Sequence, residues 1–226
     1  MQDPNYVRNA FARIADKYVV TNHVLSLGVD VLWRKKVGRI VEAKNPEAVL
    51  DLATGSGDLA EEIQLRLPNA RVVGADFCVP MLDEARKRKI SQLVAADGMA
   101  LPFADDSFDV VTVAFGLRNM ADWALGIREM SRVLKPGGMM LVLDFSLPTG
   151  ILRGPYRFYL HSLLPNVAGL MTGQKDAYAY LGGTIEKFPS GEKMTDLISA
   201  NGFTNAACHP LSFGVASIYT ATAVSG

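Results

Sequence analysis

The sequence predicts an α/β sandwich around an open, largely parallel sheet, and three observations carry that prediction. Five short apolar segments, at 48–53, 70–75, 91–96, 108–114 and 138–144, are bounded by turn or polar residues and read as strands. Helix-like stretches alternate with them, as a parallel sheet with crossover helices requires. The first strand, Val49-Leu50-Asp51-Leu52, runs into the glycine turn Ala53-Thr54-Gly55-Ser56-Gly57, and periodic residues after Asp58 open a helix.

Taken in order, a helical preamble reaches about Ala43 before the first strand. Between the fourth and fifth strands Trp123, Ile127, Met130 and Leu134 recur at helical spacing, and Lys135-Pro136-Gly137-Gly138 supplies a basic last turn and a stop. Residues 151–187 read as helical and irregular, 190–200 as a helix, and 203–209 with 214–222 as strands that close the sheet. Neither an internal repeat nor a low-complexity linker interrupts this order, so one domain is expected: a helical cap over 1–45, a core over 46–150, and a lid with closing strands over 151–226.

Function is expected where the strands end. Asp51, Asp76 and Asp97 each terminate or follow an apolar strand, and in an open parallel sheet the C-terminal strand ends share one rim where ligands bind. Each carboxylate alone reads equally well as a helix cap or turn residue; three together point to one ligand. Gly55 and Gly57 allow a tight turn and close backbone approach. Gly55-Ser56-Gly57-Asp58-Leu59-Ala60 also satisfies the dinucleotide fingerprint G-x-G-x-x-G/A, with Asp76 near the expected distance beyond it. Asp51 separates the two readings. A carboxylate entering the turn repels a pyrophosphate, whereas S-adenosylmethionine has no phosphate and carries an ammonium and a sulfonium.

At these residues the chain resembles the class I S-adenosylmethionine-dependent methyltransferases, and further signatures narrow the resemblance to the ubiquinone/menaquinone biosynthesis C-methyltransferases. These are Phe11-Ala12-Arg13-Ile14-Ala15-Asp16-Lys17-Tyr18, Asn22-His23-Val24-Leu25-Ser26-Leu27-Gly28, Trp33-Arg34, Leu101-Pro102-Phe103, Phe115-Gly116-Leu117-Arg118-Asn119, Asp144-Phe145-Ser146, Tyr156-Arg157-Phe158-Tyr159, Tyr178-Ala179-Tyr180-Leu181 and Phe188-Pro189. Departures are Ser56 for the more frequent threonine, Asp144 for glutamate, Cys78 for a small hydroxyl residue and Ala114 for serine. The resemblance implies a Rossmann-like seven-stranded class I methyltransferase sandwich with an N-terminal helical cap and an antiparallel last strand.

It also implies C-methylation of a prenylated quinol ring, demethylmenaquinol first and the benzoquinol of ubiquinone synthesis second. An O- or N-methyltransferase of another small molecule and a non-catalytic cofactor-binding partner remain alternatives. With S-adenosylmethionine as cofactor, Asp76 is expected at the ribose hydroxyls, Asp97 and Gly98 at the adenine, with Met99 packing there or in the core, and Asp51 at the ammonium; Gly55, Ser56 and Gly57 of the turn are expected to bind the cofactor as well, Ser56 matching a family position associated with it. Ring methylation needs an ionised phenol and a proton acceptor. Arg118 is the candidate stabiliser, with a structural salt bridge as its plainer reading. Asp144, His161 and His23 are candidate bases, the histidines reading more readily as packed, hydrogen-bonded core residues. Tyr18, Asn22, Trp33, Phe115, Asn119, Tyr156 and Tyr180 are expected to bind substrate, and residues 151–171 form either a greasy wall that touches a membrane surface or an ordinary buried helix. No metal is implied, and a homodimer stays open.

Composition agrees. The 226 residues are 49% hydrophobic, enough for a substantial core. The balance of 23 basic and 23 acidic residues argues against a nucleic-acid partner. Cys78 and Cys208 are too few for a disulfide framework, in keeping with a reducing cytoplasm. With neither a secretory-type N-terminus nor an apolar run of membrane-spanning length, a cytoplasmic protein, soluble or peripheral at the inner membrane face, is expected.

Overall fold

The computed structural model describes residues 28–163, 165–166 and 182–224. Its strands are β1 (Ala48–Leu52), β2 (Arg71–Asp76), β3 (Gln92–Ala95), β4 (Phe108–Ala114), β5 (Leu134–Phe145), β6 (Phe203–Leu211) and β7 (Ala216–Ala223). They form one seven-stranded sheet in the order β3-β2-β1-β4-β5-β7-β6. Strands β1 to β5 pair in parallel, and β7 runs antiparallel between β5 and β6. The strand order reverses between β1 and β4, which opens a crevice at their C-terminal ends.

Both faces of the sheet are covered, so the central strands are apolar on both sides. Side-chain alternation divides β1: Leu50 and Leu52 join one core layer with Ile127 and Met130, while Val49 joins the other with Trp33, Val37 and Ile63. The described helices are α1 (Asp30–Lys44), α2 (Asp58–Arg66), α3 (Val79–Ala85), α4 (Trp123–Val133), α5 (Arg153–Phe158) and α6 (Glu192–Ser199). Asp122 caps α4 by accepting from the Leu125 N–H at 2.9 Å.

One boundary departs from expectation. Leu134 is the first residue of β5, paired with Phe108, and not the last of the preceding helix. Pro136 has no N–H for the ladder and Gly137 turns left-handed at φ 76°, so the strand bulges and pairing resumes between Met139 and Val110. Residues 135–138 thus lie within the strand.

Of the expected N-terminal cap, α1 is described. Tyr18, Asn22 and His23 lie outside the described residues, as does Tyr180. Within 151–187 the structure describes α5, a π-helical turn at Tyr159–Leu163 and helical residues 182–187. No helix among the described residues is long and apolar enough to cross a membrane.

Candidate active site

Two strained turns shape the rim. Ala53, just past β1, and Phe115, just past β4, both adopt left-handed backbone conformations, with φ of 51° and 58°. Gly116 lets the turns meet, because a Cβ there would lie 2.4 Å from the Ala53 Cβ.

The resulting cleft holds about 530 Å³ and is lined by Asp76, Asp97, Gly98, Met99, Asn119 and Met120 among others. Asp76 is buried, and its oxygens accept backbone N–H groups, from Gly55 at 2.9 Å and Cys78 at 2.8 Å, with the Phe77 N–H adding to them. A carboxylate offers about four acceptor sites, so it keeps capacity for a ligand donor. Burial pushes the Asp76 carboxyl up to about 6, against the pull of those N–H groups. Asp97 is exposed at the mouth, where it accepts from the Met99 N–H at 2.9 Å. The Asn119 amide nitrogen donates to the Phe115 carbonyl at 3.2 Å, and its buried Oδ1 accepts from no described group.

Asp51 lies beneath this cleft and does not line it. Its two oxygens accept from the hydroxyls of Thr54 and Thr112, each at 2.7 Å. Burial raises it to about 6, opposed by these hydroxyls and by the charge of Arg34. Ser56 also turns away, donating to Asp58 at 2.5 Å. Gly57, at φ 79°, is glycine for a packing reason: a Cβ there would meet the Ile90 side chain at 2.6 Å. Gly55 lines the inner end of the crevice with Cys78, Met81 and Phe115. The first turn of α2 carries Asp58 and Glu61, each bound by Arg88 at 2.6 Å. Those carboxylates oppose a pyrophosphate at the helix N-terminus.

On the far side of Phe115, Arg118 and Asp144 form a buried pair, 1% and 0% exposed, with Nη1 to Oδ1 at 2.6 Å. Arg118 Nη1 also donates to the Phe115 carbonyl at 2.7 Å, and Asp144 accepts from the Phe145 N–H at 2.8 Å. Burial pushes the Asp144 carboxyl up while the guanidinium pulls it back. Trp33 is buried against Phe115 and Phe145, and its indole N–H reaches Ser212 at 3.1 Å. Tyr156 stacks on Tyr159, and its phenol is raised chiefly by burial. His161 faces Glu186 at 3.1 Å within the 151–187 segment.

The structure therefore gathers Asp76, Asp97, Gly98 and Asn119 at one cleft, which puts Asn119, expected with the substrate, beside the residues expected to bind the cofactor. Thr54, Thr112 and Arg88 went unread in the sequence. Thr112 is the one polar residue between Val110 and Ala114 in β4, which was the available signal.

Residues 1–223 match the ubiE/COQ5 methyltransferase family. A demethylmenaquinone methyltransferase of Thermus thermophilus is 43% identical over 215 residues, covering 92% of this chain and 97% of the relative. The ubiquinone/menaquinone biosynthesis C-methyltransferase UbiE of Bdellovibrio bacteriovorus is 39% identical over 227 residues, covering 97% of each. Among solved structures, a SAM-dependent methyltransferase from Thermotoga maritima superposes with a TM-score of 0.66 at 17% identity, covering 96% of this chain and 99% of that one. Human N-acetylserotonin methyltransferase in complex with SAM gives 0.56 at 17% identity, over 83% and 52%. These likenesses speak for the seven-stranded methyltransferase fold, and with the full-length sequence match they establish that the chain belongs to the ubiE/COQ5 methyltransferase family.

Proposed function

We propose that the chain transfers a methyl group from S-adenosylmethionine to a ring carbon of a prenylated quinol, demethylmenaquinol in the first place. The observation that carries the cofactor half is Asp76, a buried carboxylate lining the cleft, held by backbone N–H groups and with acceptor capacity left for a ligand donor. The acceptor half rests on full-length relatives named demethylmenaquinone methyltransferase.

The cleft fits the cofactor's donors. Asp76 takes the ribose diol, Asp97 and Gly98 take the adenine edge, and Asn119 Oδ1 supplies a buried acceptor in need of a donor. Gly55 holds Asp76 in place. Asp51, carried by Thr54 and Thr112, places negative charge under the crevice for the ammonium, and Ser56 and Gly57 shape the turn from behind. Bound there, S-adenosylmethionine supplies an electrophilic methyl group on a sulfonium. The substrate carbon forms the new bond to that methyl, the sulfur–methyl bond breaks, and the ring proton leaves to water or to the substrate's own oxygen.

Arg118 stabilises the phenolate by its positive charge. Asp144 orients Arg118, its Oδ1 accepting from the guanidinium at 2.6 Å with both side chains buried. His161, engaged by Glu186, belongs to the lid. Phe115, Trp33 and Tyr156 form an aromatic wall, with Tyr18, Asn22 and Tyr180 assigned to the acceptor side by the family resemblance. The chain works as one domain, with 1–45 as the cap, 46–150 as the cofactor core and 151–226 as the lid and closing strands.

A prenylated acceptor resides in lipid, and the rim beside Asp144 carries apolar side chains that face water. Ile151 is 91% and Phe213 88% exposed, with Leu152 and Phe158 beside them in sequence or on α5. Their loops adjoin, since Gly214 packs against Pro148. This edge meets the membrane interface.

The test incubates purified protein with methyl-labelled S-adenosylmethionine and reduced short-chain demethylmenaquinone or its benzoquinol counterpart, then locates the label by mass spectrometry. Label on the naphthoquinol ring carbon is expected. Label on the benzoquinol as well means dual specificity, and no transfer despite cofactor binding refutes the quinol assignment.

A further inference from the structure

Asp30 and Arg34 form an ion pair in the first two turns of α1, 0% and 8% exposed, that the transfer as described does not use. A buried ion pair is weak evidence for stability, because desolvation offsets most of its attraction. Its position suggests another role. The Arg34 guanidinium lies over the ring of Phe115, 5.5 Å from the centroid. Phe115 is the residue held left-handed past β4; its N–H donates to the Leu143 carbonyl at 2.8 Å. Its carbonyl accepts from both Asn119, at 3.2 Å, and Arg118, at 2.7 Å. One strained peptide thus holds a cofactor-cleft residue and an acceptor-side residue together, and such a conformation persists only where its surroundings over-determine it. The ring is fixed by Phe145 at 4.7 Å, Trp33 at 6.3 Å and Arg34.

Resting on the function proposed above, we propose that Arg34, oriented by Asp30, is a positioning residue for methyl transfer. It clamps the Phe115 ring so that the Phe115 carbonyl keeps Asn119 and Arg118 in register, and it sets a positive charge near Asp51. The charged groups facing Asp51 are Arg34 from α1 and Asp76 from β2, with the neutral hydroxyls of Thr54 and Thr112 completing its surroundings. Arg34 favours the ionised form of Asp51 and Asp76 opposes it. Loss of the cation therefore keeps Asp51 protonated to a higher pH.

The experiment compares wild type, Arg34→Lys and Arg34→Met by calorimetric titration with S-adenosylmethionine from pH 5 to 8, by kcat and KM on the labelled assay, and by thermal melting without ligand. In Arg34→Met the acidic limb of cofactor affinity is expected to move up by about one pH unit, with kcat lower by about tenfold. Arg34→Lys keeps the charge and restores the limb, but its compact ammonium does not replace the planar stack, so kcat stays low. If Arg34→Met leaves Asp30 uncompensated and does not fold, the Asp30→Asn/Arg34→Met double variant removes both charges and should show the same upward limb. Variants that melt earlier but keep the wild-type limb and kcat overturn the proposal and leave the pair as a structural element. A wild type that does not bind S-adenosylmethionine overturns the parent reading, and this one with it.

Discussion

Arg118 donates to Asp144 across 2.6 Å with neither side chain in contact with water. Each is the other's charge compensation, and the Phe115 carbonyl and Phe145 N–H complete the arrangement. Removing one partner strands the other in a low-dielectric site. Asp144→Ala is expected to lose about 3–5 kcal/mol of unfolding free energy, measured by urea denaturation. Asp144→Asn keeps an acceptor and the shape, so it should fold, bind S-adenosylmethionine nearly as wild type and lose kcat. Equal losses of cofactor affinity and kcat would place Asp144 in the cofactor site and defeat its assignment to Arg118.

Asp76 works at two levels that substitution can separate. Asp76→Ala removes the acceptors of the Gly55 and Cys78 N–H groups and should destabilise the fold by about 1–3 kcal/mol for each group left unsatisfied. Asp76→Asn retains an acceptor for one of these N–H groups but loses the charge, and is expected to weaken S-adenosylmethionine about 10–100-fold by calorimetry while costing less stability than Asp76→Ala. NAD should not bind to either variant or to wild type. Saturable NAD binding would revive the dinucleotide reading of the glycine turn.

Asp51 and Asp76 are both raised from an ordinary value of 3.8 to about 6 by burial. For a carboxyl raised on folding, the stabilising contribution is fully present below pH 3.8, where both states hold the proton. It is lost as pH climbs through about 6, because the unfolded chain ionises freely while the folded chain must ionise a buried group. Each group contributes on the order of 3 kcal/mol across that window. The ligand-free wild type should therefore lose stability relative to Asp51→Asn between pH 4 and 6.5 and run parallel to it above. S-adenosylmethionine carries the opposite dependence, since its cation favours ionised carboxylates, so its thermal shift should be larger at pH 7.5 than at pH 5. A cofactor shift that is flat across this range would show that neither carboxylate meets the ligand's charge.

The fold was legible because its strands are continuous apolar runs with both faces buried, as Val49-Leu50 and Val110-Val111 show by dividing between the two core layers. Asp76, Asp97 and Gly98 were legible because a strand's end is also its rim. Side-chain direction was not. Ser56 and Gly57 sit in the expected turn, yet one faces Asp58 and the other Ile90, since the turn's inner side packs on neighbouring elements. Asn119 reads as an acceptor-side residue from its neighbours in sequence, but the short 3₁₀ turn at Leu117–Asn119 sends Arg118 and Asn119 to opposite sides of the Phe115 carbonyl's surroundings, pair and cleft. The Leu134–Gly138 bulge escaped because helix-stop and strand-bulge chemistry use the same proline and glycine.

Phe213 makes the membrane reading testable without touching the cofactor cleft. It is a bulky residue held at φ 59° and 88% exposed, so it accepts backbone strain and hydration with little packing in return. Ile151, at 91% exposed, lies on the adjoining loop. Burial of such side chains in an interface contributes about 1.5–3 kcal/mol each at most. Phe213→Asp and Ile151→Asp should each reduce co-sedimentation with lipid vesicles, with the double variant close to unbound, while S-adenosylmethionine affinity and melting temperature hold. Turnover of a long-chain quinol presented in vesicles should fall with vesicle binding, and turnover of a short-chain, water-soluble analogue should not. Equal turnover of both acceptors by the double variant would show that the enzyme receives its substrate by a route that does not pass this edge.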